Sequence, residues 1–554
     1  MRRRKLIFGI SALLLGGFLL SSLTNVDNKN FEIAKNLDIY YSLFRELNTF
    51  YVDEIDPSKL VKESIDEMLS ELDPYTTFIP ESDIEDYRFM TTGEYGGIGA
   101  LIAKHDDQIV VSEPYEGYPA QKSGLMAGDV FLEVAGEKVD KMDTEDVSNL
   151  LKGAAGQAVK IKVSRLGEKK PLEFSIVREK ISIDPVSYSG MLDQQTGYIR
   201  LTNFTKDAAE KVKKALLELK DQGAQQLVLD LRGNPGGLLM ESVNMVNLFI
   251  DKDQEVVSTK GKVSQWDKSY ATTGTPVDLD IPLAVLVNSG SASASEIVSG
   301  TIQDLDRGVV IGSRTFGKGL VQTTRDLSYN AKLKVTTAKY YIPSGRCIQA
   351  LDYSHRNEDG SVGHVPDSLI SEFQTLNGRK VYDGGGIIPD IEIENEMLSN
   401  LSIQLIRQFK IFDYATRYRI ENPVIADAAV FEINDEIYND FINYVESSDF
   451  TYTSETQKML EQLKEMAGEE KYLDMASDEF SALASKLELD LDRDLKKFRE
   501  EIAMILKNEL VSRYYYQRGS AIAGVNDDKT IAKALSVLND QAQYEQLLSP
   551  LAQQ

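Results

Sequence analysis

The chain has 554 residues, of which 42% are hydrophobic and 27% charged, and its 87 acidic and 61 basic side chains leave a formal net charge of −26. At roughly 100 to 200 residues per domain this length predicts about three to four domains, and the ordinary composition excludes a largely disordered or multi-spanning membrane protein. The acidic balance argues against a nucleic-acid partner, because phosphate backbones are repelled. One cysteine and three histidines exclude an internal disulfide and a thiolate zinc cage, so we expect neither a metal site nor a cofactor.

The N-terminus has the pattern of an export signal. Four basic residues at positions 2–5 are followed directly by the apolar stretch 6–20. Residues 1–25 are therefore predicted to be a signal peptide. Because the small-residue cleavage site is mediocre, an uncleaved anchor in the inner membrane remains open. Either interpretation predicts a location in the periplasm or the cell envelope.

Residues 27–90 are predicted to form a small helical element. Apolar residues recur at helical spacing from Phe31 to Tyr51. Asp56 and Pro57 then have the pattern of an N-cap and the first position of a second helix.

The composition changes at residue 93, where short β-rich runs and Gly-rich turns begin, interrupted by one helical stretch at 144–151. The turn 96–99 precedes a strand at 100–104, and exposed backbone N–H groups beside a strand edge can receive the C-terminal carboxylate of a peptide. The run P-A-Q-K-S-G-L-M-A-G-D-V, which begins at Pro119, resembles the PDZ domains of bacterial proteases. This resemblance implies that residues 93–183 are a PDZ domain that captures substrate tails with Gly96, Gly97, Ile98 and Gly99.

Residues 184–390 alternate between strands and helices. Apolar strands at 227–231, 282–287 and 309–311 are separated by helical patterns, which predicts an α/β fold with a parallel sheet. Residues 391–554 are predicted to be helical, with one amphipathic helix from Leu487 to Ile505.

Three serines, Ser291, Ser293 and Ser295, lie where a strand leads into a helix. A nucleophile there can use unpaired N–H groups at the helix start to hold an oxyanion, but an N-cap serine explains the segment more simply.

A serine nucleophile also needs a base, and none of the three histidines lies near this turn in sequence. Lys318 is flanked by two glycines and apolar residues, and burial that lowers the pKa of a lysine can make it a base. If a strand follows, Gln322 lies on the same face as Lys318 and can orient its amine.

The segment V-L-V-N-S-G-S-A-S-A-S-E-I, the later segment G-S-R-T-F-G-K-G-L-V-Q and the earlier D-L-R-G-N-P-G-G resemble the active site of the C-terminal processing (tail-specific) peptidases. The motifs occur in the family's order, and the resemblance covers about residues 30 to 390. It implies that Ser293 is the nucleophile, Lys318 the general base and Gln322 the residue that holds the lysine. It also implies oxyanion donors at Ala294 and at Gly236 or Gly237, with Ser291 in the turn and Ser295 as a helix cap.

The resemblance further implies a multidomain α/β architecture, in which a PDZ-like β domain lies between the N-terminal helical element and a core of the crotonase and Clp-protease type. A helical C-terminal domain follows. The PDZ domain can gate the active site of the core. Arg165 either relays binding at the PDZ domain to the core or is an ordinary exposed strand arginine. Cys347, His355 and His364 lack partners in any motif and are interpreted as structural or surface residues.

The expected function is an exported serine endopeptidase that cleaves envelope proteins with accessible apolar C-terminal tails through an acyl-enzyme. Its partners are those protein substrates, and an adaptor on the helical C-terminal domain and a homo-oligomer remain open. One alternative is a catalytically silent PDZ scaffold, although retention of the complete Ser-Lys-Gln set argues against it. The second alternative is an acyl-transfer enzyme of the crotonase type. The absence of a basic patch for CoA phosphates in the sequence argues against it.

Overall fold

The computed structural model describes residues 29–357, 359–394 and 397–549. The predicted export segment, residues 1–25, lies outside the described residues. Two compact units are present, one ending at Phe78 and the other beginning at Ile79. Within the described ranges, no helix combines the length and the apolar character needed to cross a membrane.

The first unit is helical. Residues 29–50 form helix α1, and α2 spans Pro57–Ser70. The Asp56 side chain accepts hydrogen bonds from the N–H groups of Ser58 and Lys59, which confirms the predicted N-cap with Pro57 in the first turn. The short strand β1 (Thr77–Ile79) follows.

The second unit begins with helix α3 (Ile84–Thr92), which leads into an antiparallel β domain. The elements of this domain are β2 (Glu94–Gly97), β3 (Ala100–His105), β4 (Gln108–Pro114), α4 (Pro119–Lys122), β5 (Val130–Val134), β6 (Glu137–Lys138), α5 (Thr144–Leu151), β7 (Ala158–Ser164), β8 (Leu172–Val177) and β9 (Glu179–Ser182). The sheet order is β3-β4-β5-β7-β8, with β6 on β5, so β3 is an outer strand. Helix α5 has the predicted bounds, because Asp143 caps its first turn.

The α/β core contains two large sheets and two small sheets of two strands each. Its elements are β10 (Val186–Met191), β11 (Thr196–Leu201), α6 (Ala208–Asp221), β12 (Gln226–Asp230), α7 (Leu239–Val246), β13 (Glu255–Gly261), β14 (Lys268–Ala271), β15 (Leu283–Val287), α8 (Ala294–Asp304), β16 (Val309–Gly312), β17 (Leu320–Asp326), β18 (Lys332–Tyr341), β19 (Leu351–Arg356), β20 (Val362–His364), β21 (Glu372–Gln374), β22 (Lys380–Tyr382) and β23 (Ile391–Glu392). One large sheet has the order β10-β11-β12-β15-β16-β23 and is parallel from β11 to β23. In the other large sheet, β13 pairs with β14 and β18, and β17 pairs with β18.

Helices cover both faces of the parallel sheet. Alternate residues of its strands, such as Leu229 and Val285, pack in one cluster with α6, α7 and α8. The residues between them, such as Val228 and Leu286, pack against a helix near the C-terminus that carries Ile531. The core therefore has three layers, as expected for a parallel sheet whose two faces are apolar.

The C-terminal region is helical, as predicted. Its helices are α9 (Asn400–Arg407), α10 (Lys410–Glu421), α11 (Asp435–Ser447), α12 (Glu455–Glu469), α13 (Leu473–Lys486), α14 (Leu491–Lys497), α15 (Arg499–Val525), α16 (Lys529–Leu538) and α17 (Gln541–Leu547). The prediction of a single helix from Leu487 to Ile505 is wrong. The chain leaves the helix after Lys486, Asp490 caps α14 by accepting from the Arg493 N–H, and Phe498 separates α14 from α15.

Candidate active site

Ser293 lies between β15 and α8, at the point where the parallel strand turns into a helix. Its φ and ψ are 56° and −113°, a left-handed conformation that is strained for a residue with a side chain. This strand-turn-helix geometry exposes a side chain at the carboxyl edge of the sheet, as a nucleophile elbow does. The serine is half-buried and immediately precedes the first turn of α8, where backbone N–H groups lack helical partners.

The two neighbouring serines make structural hydrogen bonds. The buried Ser291 hydroxyl donates to the Leu231 carbonyl at 2.8 Å and accepts from the Asn288 N–H at 3.0 Å. The buried Ser295 hydroxyl donates to the Asn234 carbonyl at 2.9 Å. The prediction that Ser295 caps the helix is wrong, because α8 begins at Ala294 and Ser295 lies inside its first turn.

The loop after β12 packs directly against the Ser293 turn. Gly236 has a φ of +98°, and a Cβ atom there would lie 2.8 Å from the Ser293 Cβ and 2.8 Å from the Ala294 nitrogen. The Gly236 N–H donates to the Asn234 side-chain oxygen at 2.9 Å. Among the described residues, the N–H groups of Ala294 and Gly237 have no hydrogen-bond acceptor. Of the two candidate glycines, Gly237 therefore has the available donor.

A buried carboxylate joins the Ser293 turn to the loop that carries Lys318. Glu296 is fully buried in α8, and its oxygens accept hydrogen bonds from four donors. These are the N–H groups of Ser293 (2.8 Å), Gly317 (2.8 Å) and Lys318 (2.9 Å) and the hydroxyl of Thr315 (2.6 Å). Burial raises the pKa of Glu296, and the four donors oppose that shift by stabilising the charged form. One side chain thus sets the backbone positions of both Ser293 and Lys318.

The backbone around Lys318 is further held by neighbouring groups. Gly317 has a φ of +84°, and a Cβ atom there would lie 2.4 Å from the Ala350 Cβ, so this turn requires glycine. The buried Tyr340 hydroxyl reaches the carbonyls of Lys318 at 2.6 Å and Ser293 at 3.2 Å. Tyr340 therefore contacts the same two backbone segments as Glu296, from the second sheet.

Gln322 lies in β17, the strand that follows Lys318, as predicted. Its amide nitrogen donates to the Leu320 carbonyl at 3.3 Å and to the Thr336 hydroxyl at 3.1 Å. These bonds orient the amide within the sheet and do not use its oxygen.

One cavity of about 640 Å³ brings the predicted residues together. We call it the Ser293 cavity. Its lining includes Ser293, Lys318, Gln322, Ala294, Gly236 and Gly237, together with apolar side chains such as Leu239, Ile297 and Val321. A mostly apolar cleft with a few convergent polar groups is the usual form of a binding or catalytic site.

A second groove lies between the outer strand β3 and helix α5, and we call it the PDZ groove. It is lined by Phe89, Tyr95, Ile98, Ala100, Leu101, Ile102, Tyr115, Thr144, Ser148, Leu151 and Lys152. Of the four predicted peptide-binding residues, Ile98 lies on this groove. Gly96 and Gly97 instead pair with Lys180 and Glu179 of β9, and Gly99 directly precedes β3.

The remaining candidates lie outside the Ser293 cavity. Cys347 is half-buried, and burial raises the pKa of its thiol, which disfavours the reactive thiolate. His355 is exposed and pairs with Asp352 at 2.7 Å. Arg165 is not a free strand arginine, because its guanidinium binds the buried Asp129 carboxylate at 2.6 Å.

Sequence reasoning missed Glu296 and Tyr340. A signal for Glu296 was present, because Ser-x-x-Glu at a helix start is the capping-box pattern, and the Glu296 carboxylate indeed accepts from the Ser293 N–H. Tyr340 gave no such signal, because its contact with the Ser293 turn depends on how the second sheet packs.

Comparison with known proteins identifies the family of the chain. A carboxy-terminal-processing protease of Bartonella bacilliformis is 35% identical over 378 residues, which cover 67% of this chain and 83% of that protein. Residues 195–354 match the model of peptidase family S41. The chain belongs to this family. It is a serine-type peptidase, as the resemblance implied.

Other parts of this S41 peptidase also match. Residues 110–165 match the PDZ domain, and residues 401–538 match the model described as a probable PDZ-protease, C-terminal helical domain. A probable CtpA-like serine protease of Staphylococcus aureus (strain COL) is 33% identical, covering 74% of this chain and 78% of that protein. The solved photosystem II D1 C-terminal processing protease is 31% identical, with a TM-score of 0.36, and covers 65% of this chain and 93% of that one. The predicted order of a PDZ domain, an α/β core and a helical C-terminal domain is confirmed.

Proposed function

We propose that this S41 peptidase is an exported endopeptidase that captures apolar C-terminal tails in the PDZ groove and cleaves near them with a Ser293–Lys318 dyad. The observation that carries the proposal is the Glu296 carboxylate, which binds the N–H groups of both Ser293 and Lys318 while both residues line one cavity. The names of the relatives, which are carboxy-terminal-processing and CtpA-like serine proteases, support this substrate class.

In the acylation step, the neutral Lys318 amine takes the proton from the Ser293 hydroxyl as its Oγ attacks the scissile carbonyl carbon. The N–H groups of Ala294 and Gly237 hold the resulting oxyanion, since both lack an acceptor among the described residues and both residues line the Ser293 cavity. The Lys318 ammonium then gives its proton to the leaving amine, and an ester to Ser293 remains.

In the second step, Lys318 takes a proton from water, and the hydroxide that forms attacks the ester carbonyl. Collapse of this intermediate breaks the Ser293 ester bond, returns the proton from Lys318 to Oγ and releases the new C-terminus. Gln322 directs its amide oxygen at the Lys318 amine, because its amide nitrogen is held by Leu320 and Thr336. The dyad needs no metal or cofactor for these proton transfers.

The substrate tail enters through the PDZ groove as an added strand on β3, whose outer edge is available for pairing. Its apolar side chains contact Ile98, Leu101 and Ile102. Phe89 of α3 lines both the PDZ groove and the Ser293 cavity, so the two sites are adjacent along the path of a bound chain. The basic and apolar start of the sequence supports export to the envelope, and the helical C-terminal region offers a surface for an adaptor.

The test separates cleavage from binding. Ser293→Ala and Lys318→Met should each lower kcat by at least about a thousandfold on an unstructured peptide with an apolar C-terminus, while the Kd for that peptide stays unchanged. Because the base must be neutral, wild-type kcat/KM should rise with pH. Ser299→Ala removes a buried hydroxyl that donates within α8 to the Ser295 carbonyl and lies outside the cavity, so it is the matched control and should keep its activity.

Near-wild-type turnover by Lys318→Met would show that another group is the base. A wild-type protein that binds the peptide and cleaves none would indicate a silent scaffold. Fractionation of cells, with and without residues 1–25, tests the envelope location: an unchanged distribution would contradict export.

A further inference from the structure

A second lysine reaches the Ser293 cavity from the opposite strand. Lys334 of β18 pairs with Thr324 of β17, and both line the cavity. Gln322 pairs with Thr336 in the same ladder, so Lys334 lies one pleat, about 7 Å, beyond the Gln322–Thr336 pair on the side away from Lys318.

The Lys334 ammonium has no partner among the described residues: no hydrogen bond or ion pair joins it to another group. The contrast with Lys332, two residues earlier on the same strand, is clear, because that lysine binds the Asp326 carboxylate. Lys334 is half-buried, and burial lowers the pKa of its ammonium. A partly desolvated charge without a counter-ion is costly unless a ligand supplies one.

The charge of the cavity has one sign. Within the part of the chain that the structure describes, its lining contains the lysines Lys318 and Lys334 and no Asp, Glu, Arg or His residue, so Lys334 keeps the cavity positive when Lys318 is neutral as the base. This contrasts with the chain as a whole, which carries a net charge of −26. A positive, largely apolar cleft on an acidic protein favours an anionic group of the ligand.

We propose that Lys334 is a specificity-determining residue that binds a carboxylate of the peptide substrate, a few residues from the scissile bond. The inference rests on the proposed function, since the ligand of the cavity is taken to be a peptide. The carboxylate comes either from an Asp or Glu side chain or from the free C-terminus of the tail. Lys334 takes no part in the bond-breaking steps: it selects which peptides are held across Ser293.

The experiment compares matched peptides. In a first set of pairs, the two peptides differ only by Glu or Gln at one position, and each position within four residues of the cleavage site is tested in turn. In a second pair, the two peptides differ only in having a free or an amidated C-terminus. Wild type should prefer the carboxylate member of one pair by about tenfold in kcat/KM, the effect of one charge-assisted hydrogen bond. The pair that shows the preference identifies the source of the carboxylate.

Lys334→Met should remove this preference and leave kcat/KM for the uncharged peptides within about twofold, whereas Lys334→Arg should keep it. Lys339→Met is the matched control, because Lys339 is exposed on the same strand and does not line the cavity. Lys334→Gln provides a second neutral variant should the Met variant fold poorly.

Two outcomes would overturn the proposal. The first is a preference that survives in Lys334→Met and Lys334→Gln. The second is an equal loss of rate on all peptides with a shifted pH profile, which would mean that Lys334 acts through Lys318. Peptide affinities of Ser293→Ala, with and without Lys334→Met, give the same comparison without turnover. The role of Lys334 is therefore decided even if the proposed cleavage fails.

Discussion

The Ser293 cavity and the PDZ groove differ in what holds their functional groups in place. In the cavity, one buried carboxylate and one buried hydroxyl bind the backbone on both sides, through Glu296 and Tyr340. In the PDZ groove, the lining is an outer strand and apolar side chains such as Leu101, which is 42% exposed. Hydrogen bonds therefore fix the functional groups of the Ser293 cavity, whereas the PDZ groove offers a strand edge and an apolar surface.

This difference predicts how each region responds to substitution. Chemistry at Ser293 depends on distances between reacting atoms, and a misplacement of about 1 Å can cost a hundredfold in rate. Capture of an extended tail depends on buried area and strand pairing, which change in small increments. Substitutions around the cavity should therefore lower kcat steeply, and those in the PDZ groove should raise KM modestly.

The largest effect among the supporting residues is expected for Glu296→Gln. The amide keeps the size of the side chain but turns one oxygen into a donor, which then faces two of the four groups that donate to the carboxylate. Whichever pair faces the amide nitrogen, at least one backbone N–H of the loop that carries Lys318 loses its acceptor on α8, so kcat should fall about a hundredfold with KM little changed. Stability should fall by about 3 kcal/mol, measured by urea unfolding.

Glu241→Gln is the control for Glu296→Gln. The Glu241 carboxylate also accepts from a backbone N–H, that of Ala209 at 2.9 Å, but it lies outside the Ser293 cavity. Its variant should keep kcat. If Glu296→Gln lost stability yet kept kcat in the remaining folded protein, Glu296 would serve folding alone.

Gly236→Ala should have a smaller effect on the same cavity. A methyl group there would lie 2.6 Å from the Ala292 carbonyl oxygen and 2.8 Å from the Ala294 nitrogen, so the loop that carries Gly237 must shift away from these backbone atoms. We expect about a tenfold loss of kcat from a displaced oxyanion donor, measured on the same peptide.

Gly233→Ala separates this displacement from backbone strain. Gly233 lies in the same loop with a φ of +68°, and a Cβ atom there would have nothing within 4 Å. Both variants should lose about 1 kcal/mol from the left-handed backbone. A tenfold loss of kcat in both would assign the effect to the strain of the loop instead of to contact with the Ser293 turn.

Much of the fold was predictable because the periodicity of the sequence is strong where both sheet faces are buried. The strands predicted at 227–231 and 282–287 correspond to β12 and β15, and no end of either strand differs from the prediction by more than one residue. The break between α13 and α15 was missed, because apolar residues keep a helical spacing through the turn at Asp490. Nothing in the local pattern indicates that α16 covers the second face of the parallel sheet, since its apolar stripe fits any partner equally well.

The site shows a similar division. The placement of Ser293, Lys318 and Gln322 around one cavity was expected from the resemblance to a peptidase family, not from their spacing, and their roles stay predictions. The sequence pattern Ser-x-x-Glu could have predicted that Glu296 binds the Ser293 N–H in a capping box. It could not have predicted that Glu296 also binds the Lys318 N–H. That link spans 22 residues and depends on the loop before β17 returning to α8.

The smallest effect is expected in the PDZ groove, from Leu101→Lys. Half-exposed apolar area is lost, so the affinity for an apolar tail should weaken by about 1 kcal/mol, or roughly fivefold in KM, with kcat unchanged. Leu132→Lys is the control, because Leu132 is 36% exposed on the same sheet but does not line the groove. If Leu101→Lys lowered kcat as strongly as Glu296→Gln, the two regions would not be separable, and occupancy of the PDZ groove would itself organise the Ser293 cavity through the shared residue Phe89.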